Sequence, residues 1–208
     1  MLSWGSCDSD QLEASFTGPG VYRQVISAVG FDAPVHGYSV RLRLTASNVY
    51  DWPTLVLPDA WRFDRPSGCQ SEQLTVRTLD AACPSLGGDE VSFAVSYSFD
   101  GFDLEIWLLA GFPVLQPDPD TRYTLFALDF DHARSAPGPQ DPAEACGGAD
   151  ERVCFVLRDA RWNDPTMQSH PILFEPFFGA SWEDGSDACF GDLAVQPSHW
   201  TAAKKLYR

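Results

Sequence analysis

Three stretches of strict alternation decide what this chain can fold into. Tyr38, Val40, Leu42 and Leu44 alternate with Ser39, Arg41, Arg43 and Thr45. Val91, Phe93, Val95, Tyr97 and Phe99 alternate with Ser92, Ala94, Ser96 and Ser98, and Phe102, Leu104, Ile106 and Leu108 alternate with Asp103, Glu105 and Trp107. A period of two sends successive side chains to opposite faces of an extended chain, so each run is a strand with one buried and one wet face. Asp100-Gly101, between the last two runs, is a two-residue hairpin signal whose Gly readily takes a positive φ. Further β-rich runs lie at 22–31, 73–78, 122–131, 153–162 and 171–175.

Helical periodicity is nearly absent. Residues 58–63 suit one helical turn, and 198–208 read as a short C-terminal helix, with Ser198 as N-cap and Lys204 and Lys205 near the negative end of the helix dipole. Residues 133–150, with Pro137, Pro139, Pro142, Gly138, Gly147 and Gly148, read as a loop pinned by Cys146. About eight to ten strands without crossover helices predict an all-β fold, an antiparallel β-sandwich or jelly roll with a short C-terminal helix. A single domain over 1–208 is expected, since no boundary or repeat interrupts the pattern.

Charge excludes whole classes of partner. The net charge is −15, and the 14 basic residues, 12 of them Arg, form no cluster. Phosphate recognition needs such a patch, so nucleic acid and anionic membrane surfaces are excluded as partners. No apolar run approaches the roughly 18 residues of a membrane span.

Six cysteines, Cys7, Cys69, Cys83, Cys146, Cys154 and Cys189, occur without a C-x-x-C pair or zinc spacing. Such a set suits an oxidising compartment and three disulfides. Cys69 and Cys83 stand 14 apart and Cys146 and Cys154 stand 8 apart across turn-rich segments. The expected bridges are therefore Cys69–Cys83 and Cys146–Cys154, with Cys7–Cys189 tying the ends. The opening Met-Leu-Ser-Trp-Gly-Ser-Cys has neither the basic stretch nor the apolar run of a signal peptide, so the expectation is a mature, secreted form with Met1 as start codon.

These landmarks also carry a resemblance. Leu2-Ser3-Trp4-Gly5-Ser6-Cys7 at the start and Trp200-Thr201-Ala202-Ala203-Lys204-Lys205-Leu206-Tyr207-Arg208 at the end resemble the Leu-Ser-Trp-x-x-Cys opening and Trp-x-x-x-Lys-x-Leu-Tyr-Arg tail of an uncharacterised family of exported, disulfide-bonded proteins from uncultured bacteria. Trp61-Arg62-Phe63 before Gly68-Cys69, Tyr123-Thr124-Leu125-Phe126, Cys146-Gly147-Gly148 and Val153-Cys154-Phe155 are similar to its internal landmarks. The chain lacks the second N-terminal cysteine often found there. The resemblance implies export, disulfides and a chain spanning the mature protein, and it brings no activity with it.

Chemistry-bearing motifs are sparse. No Gly-x-Ser-x-Gly elbow occurs, and His36, His132, His170 and His199 stand singly. The sharpest cluster is Asp129-Phe130-Asp131-His132, whose two acids share one strand face and suit metal or acid/base work, alone or with Glu105. Acidic turns at 100–103, 118–120 and 183–187 make calcium the candidate cofactor, with Asp184 and Asp187 in the best of them and Asp129 and Asp131 as further candidate metal ligands. Trp107 falls on the wet phase of its strand, where an aromatic ring can stack on a sugar or pack into a partner. Trp52, Trp162 and Trp182 lie near turns and are expected to join it in a ligand-binding platform, while Trp4, Trp61 and Trp200 are assigned to the core and the ends.

The sequence therefore predicts a non-catalytic extracellular or cell-surface binding module for a polysaccharide or surface ligand. Its alternative is a structural subunit that self-associates through an edge strand or a terminal arm. A calcium- or metal-assisted hydrolase using Asp129, Asp131 and His132 ranks third.

Overall fold

Each alternating run becomes a strand, and shorter strands complete two sheets. A computed structural model of the chain describes residues 1–47, 55–65, 68–141, 144–172, 179–183 and 189. Among them are the strands β1 (Leu2–Trp4), β2 (Glu13–Ala14), β3 (Val21–Ala28), β4 (Val35–Thr45), β5 (Leu74–Arg77) and β6 (Ser92–Phe99). Then follow β7 (Leu104–Leu115), β8 (Tyr123–Asp131), β9 (Val153–Asn163), β10 (Ser169–Pro171) and β11 (Gly179–Trp182). The small sheet runs β1-β3-β8-β5, and the large one β2-β11-β9-β4-β7-β6 with β10 against β9. Every pairing is antiparallel except β11 with β2. The fold is thus an all-β sandwich, as the alternation predicts. The segment expected to form the C-terminal helix, 198–208, lies outside the described residues, and among those described no helix is long and apolar enough to cross a membrane.

Register fixes which side chains meet. On β4 and β7 the pairs Tyr38–Ala110, Val40–Leu108, Leu42–Ile106 and Leu44–Leu104 all point inward and are buried. From the small sheet, Ile26, Phe126, Leu128 and Phe130 face them. The predicted helical turn is a 3-10 turn, Asp59–Trp61, and it places Trp61 fully inside. Trp61 lies 5.5 Å from Phe130 of the small sheet, 5.2 Å from Phe155 of the large one and 5.0 Å from Trp182. Trp4 is buried there too, donating through Nε1 to the Ser181 carbonyl at 3.0 Å. The β6–β7 hairpin differs in detail from the expected two-residue loop. Phe99 pairs with Leu104, so four residues form the turn, closed by Asp100 Oδ1 accepting from the N–H of Phe102 and of Asp103 at 3.0 and 2.9 Å. Gly101 there has φ +103°, which a side chain disfavours.

The disulfides are Cys7–Cys83, Cys69–Cys146 and Cys154–Cys189, so all three expected pairings are corrected. Spacing along the chain fails here because strand faces, and not sequence distance, decide which thiols meet. Cys154 sits in β9 between the inward Val153 and Phe155, so period two turns it to the opposite face of the large sheet from Cys146, which is part of the core. Between Cys69 and Cys83 runs β5. Beyond it Cys83 joins Cys7 over Val25 and Ala127 on the outer face of the small sheet, while Cys69 meets the 133–150 loop, which Cys146 pins as expected.

Non-reducing peptide mapping should recover these three bridges and none of the sequence-local ones. Closing loops of 76 and 77 residues, Cys7–Cys83 and Cys69–Cys146 should each contribute about 4 kcal/mol by the loop-entropy account. Replacing either pair by serine, followed by urea unfolding, should show a loss of that order.

Candidate interaction surface

The four predicted platform tryptophans part company in the fold. Trp107 stands on the outward face of β7, 42% exposed, as its phase predicts. Trp182 is wholly buried beside Trp61 and donates through Nε1 to the Ala149 carbonyl at 2.7 Å. Trp162 is in register with the inward Tyr38, is buried, and stacks on His170 at 4.2 Å. Both therefore lie on the core side of the sheet that carries Trp107 outside, and they are corrected from ligand platform to core. Trp52 lies outside the described residues.

What surrounds Trp107 is a built surface of another kind. The register lines up Ser96, Trp107, Arg41 and Asp159 across β6, β7, β4 and β9, with Ala94, Leu109, Ser39 and Arg161 in the next row. Arg41 lies with its guanidinium carbon 5.1 Å from the Trp107 ring centroid, which holds the indole in place by a cation–π contact. Leu109 is 53% exposed beside it.

The edge strand β6 extends this surface around the rim of the sandwich. It pairs with β7 on one side and with nothing on the other among the described residues. Its inward residues are apolar, yet Phe93 is 45% and Tyr97 39% exposed, because the facing small sheet ends at β5, only four residues long. Between the two edges lies a cleft of about 390 Å³ lined by Phe63, Asp64, Arg65, Ser71, Glu72, Leu74 and Tyr97. β6 stands where the alternation predicts it, but its position at the sheet edge is not visible in that pattern. That signal existed only as the absence of any charge or proline from Ser92 to Phe99, devices that usually guard an edge.

The acidic cluster is taken apart by the same period of two. Asp129 and Asp131 do share the outer face of β8, but His132 points the other way, into the core. Asp129 is buried and clasped by Arg23, Nε to Oδ1 at 2.6 Å and Nη2 to Oδ2 at 3.0 Å, with Arg77 Nε at 3.2 Å. Asp131 Oδ1 accepts the Ala133 N–H at 2.8 Å. Glu105 lies on the outer face of the other sheet, paired in register with Arg43, so it cannot share a substrate with either. The predicted hydrolase constellation is therefore corrected: its members face different sides of the sandwich. Of the acidic turns, Asp118 Oδ1 binds the Asp120 N–H at 2.9 Å and Asp103 is ion-paired with Arg43. Among the described residues no three His, Cys, Asp or Glu side chains gather to hold a metal, and Asp184 and Asp187 lie outside them.

His132 instead anchors the core. Its ring stacks on Trp182 at 5.7 Å and meets Trp61 at 4.5 Å and Tyr22 at 5.6 Å, while Nδ1 lies 2.8 Å from Ser135 Oγ. Burial drives its pKa down to about 4, against a smaller opposing pull from Asp131. Unfolding restores a value near 6.5, so between those pH values the unfolded chain binds the extra proton and stability is lost as the pH is lowered. The shift corresponds to about 3 kcal/mol. Denaturant titrations should show that much stability lost between pH 7 and 4, and His132→Gln should flatten that part of the profile.

No protein-family model and no curated protein matches the chain. Solved structures to which it is similar include a type II cohesin domain from the cellulosome of Acetivibrio cellulolyticus, with TM-score 0.46 at 10% identity over 90% of this chain and 96% of that one. A cohesin module from a Clostridium perfringens family 33 glycoside hydrolase has TM-score 0.40 at 10% identity, covering 86% of this chain and 90% of the other. A non-cellulosomal cohesin from the archaeon Archaeoglobus fulgidus has TM-score 0.37 at 11% identity, covering 87% of each.

Proposed function

We propose that this chain is a non-catalytic, exported binding module that holds a partner protein on the outer face of β7 and the adjoining edge β6. The observation that carries the reading is the exposure of Trp107 and Leu109 on the outer face of β7, with Phe93 and Tyr97 exposed on the inner face of the adjoining edge β6, in a chain of net charge −15. Apolar side chains gathered in this way mark interaction sites on soluble proteins. A protein partner is favoured over a polysaccharide because two of the expected stacking rings, Trp162 and Trp182, serve the core, leaving Trp107, among the described residues, beside Leu109, Ser96 and Arg41. The pairing of all six cysteines supports an oxidising compartment, as does the resemblance to exported proteins. Calcium has no assigned place in this reading.

The test compares the disulfide-intact protein with a Trp107→Ala/Leu109→Ala variant as immobilised bait for extracellular proteins and for a polysaccharide panel. Both side chains are exposed, so the melting temperature should stay within a few degrees. The expected result is a protein partner retained by the parent and lost, by tenfold or more in affinity, from the variant. Polysaccharide retention that depends on Trp107, or a partner held equally by both, overturns the reading.

A further inference from the structure

The free edge of β6 specifies more than a general apolar contact. We propose that β6 is completed by an extended segment of the partner, a strand of uncharged alternating residues with Lys or Arg at both ends. This rests on the reading of the β6–β7 side as the binding side and names the chemistry of what docks there.

Three observations lead to it. First, β6 is eight residues long and, among the described residues, its backbone groups are paired on the β7 side only, and an extended peptide adds to such an edge through main-chain hydrogen bonds. Second, an added strand would set its inward side chains over the exposed Phe93 and Tyr97 and into the cleft beside Phe63 and Leu74, so alternate apolar residues have a place to go. Third, the uncharged strand is bracketed by acids. Asp89 and Glu90 precede it in the exposed 3-10 turn Gly88–Glu90, and exposed Asp100 follows it. Among the described residues, the cations on this side are engaged: Arg43, which acts on Asp100, with Asp103, Arg62 with Asp64 and the Phe99 ring, and Arg65 with Asp59.

The brackets choose the occupant. If two copies of this chain paired through β6, an antiparallel ladder would set Asp89 and Glu90 of each against Asp100 of the other, and a parallel ladder would set acids against acids at both ends. Like charges opposed across strands are unfavourable, and the net charge of −15 adds a repulsion between copies. A partner strand with basic ends meets complementary charge at both.

The experiment uses the isotopically labelled protein and two synthetic peptides, Lys-Lys-Thr-Val-Thr-Val-Thr-Ile-Thr-Lys-Lys and the same core with Glu at all four flanking positions. Amide hydrogen exchange in β6 and the binding isotherm are read by NMR at low salt. The expected result is slowed exchange of β6 amides with the Lys-flanked peptide and at least tenfold weaker binding of the Glu-flanked one. A variant carrying Asp89→Lys and Glu90→Lys with Asp100→Asn, which keeps the turn-closing oxygen, should abolish or reverse that preference. Absence of β6 protection at millimolar peptide, equal binding of both peptides, or β6 protection that grows with protein concentration alone overturns the proposal. If the Trp107→Ala/Leu109→Ala variant loses its partner while β6 stays unprotected in the complex, the face reading stands and strand addition falls.

Discussion

The sandwich depends on the contact of Trp61 with aromatic side chains of both sheets. A three-residue turn delivers this indole between Phe130 and Phe155, and Trp182 and His132 close around it at 5.0 and 4.5 Å. Aromatic pairs at such separations add to the area they bury, and here they join the two sheets with the 133–150 loop in one cluster. His132 shows how dense that cluster is. A titratable ring is held neutral with its Nδ1 on Ser135, and Gln70 Nε2 reaches both Ser135 Oγ and the Ala60 carbonyl at 2.7 Å. Gln70 thereby ties the turn that carries Trp61 to the segment after His132.

That arrangement also explains why one side of the molecule is open. The aromatic cluster packs the small sheet against the large one, and the Cys69–Cys146 bridge ties the segment before β5 to the 133–150 loop. The small sheet closes with the four-residue β5, while the large sheet continues through β7 to β6. Phe93, Val95, Tyr97 and Phe99 are built like core residues but have too little opposite them, and Phe93 and Tyr97 are left partly in water. A surplus of this kind is the physical basis of the proposed binding side.

Long strands were legible because period two is visible over eight or more residues. β4, β6, β7, β8 and β9 all appear where the alternation or the β-rich runs place them, and Trp107 is outward for the reason that its phase gives. The short β5 also falls within the β-rich run 73–78, but β11 has four residues, all buried, so Trp182 carried no alternation from which its direction could be read. The same period, pushed further, separates His132 from Asp129 and Asp131 and turns Cys154 away from Cys146. Adjacency in sequence concealed both. The place of β6 at the edge among the described residues is a property of sheet order, which the pairing of distant segments decides.

The central claim is that the apolar side of this protein is reserved for a different molecule. Light-scattering mass at neutral pH and physiological salt, on the disulfide-intact chain with and without calcium, tests it most directly. The account predicts a monomer of 22.9 kDa over a wide range of concentration. Dimers or ordered polymers forming through β6 would contradict it and make the exposed edge a site of self-assembly.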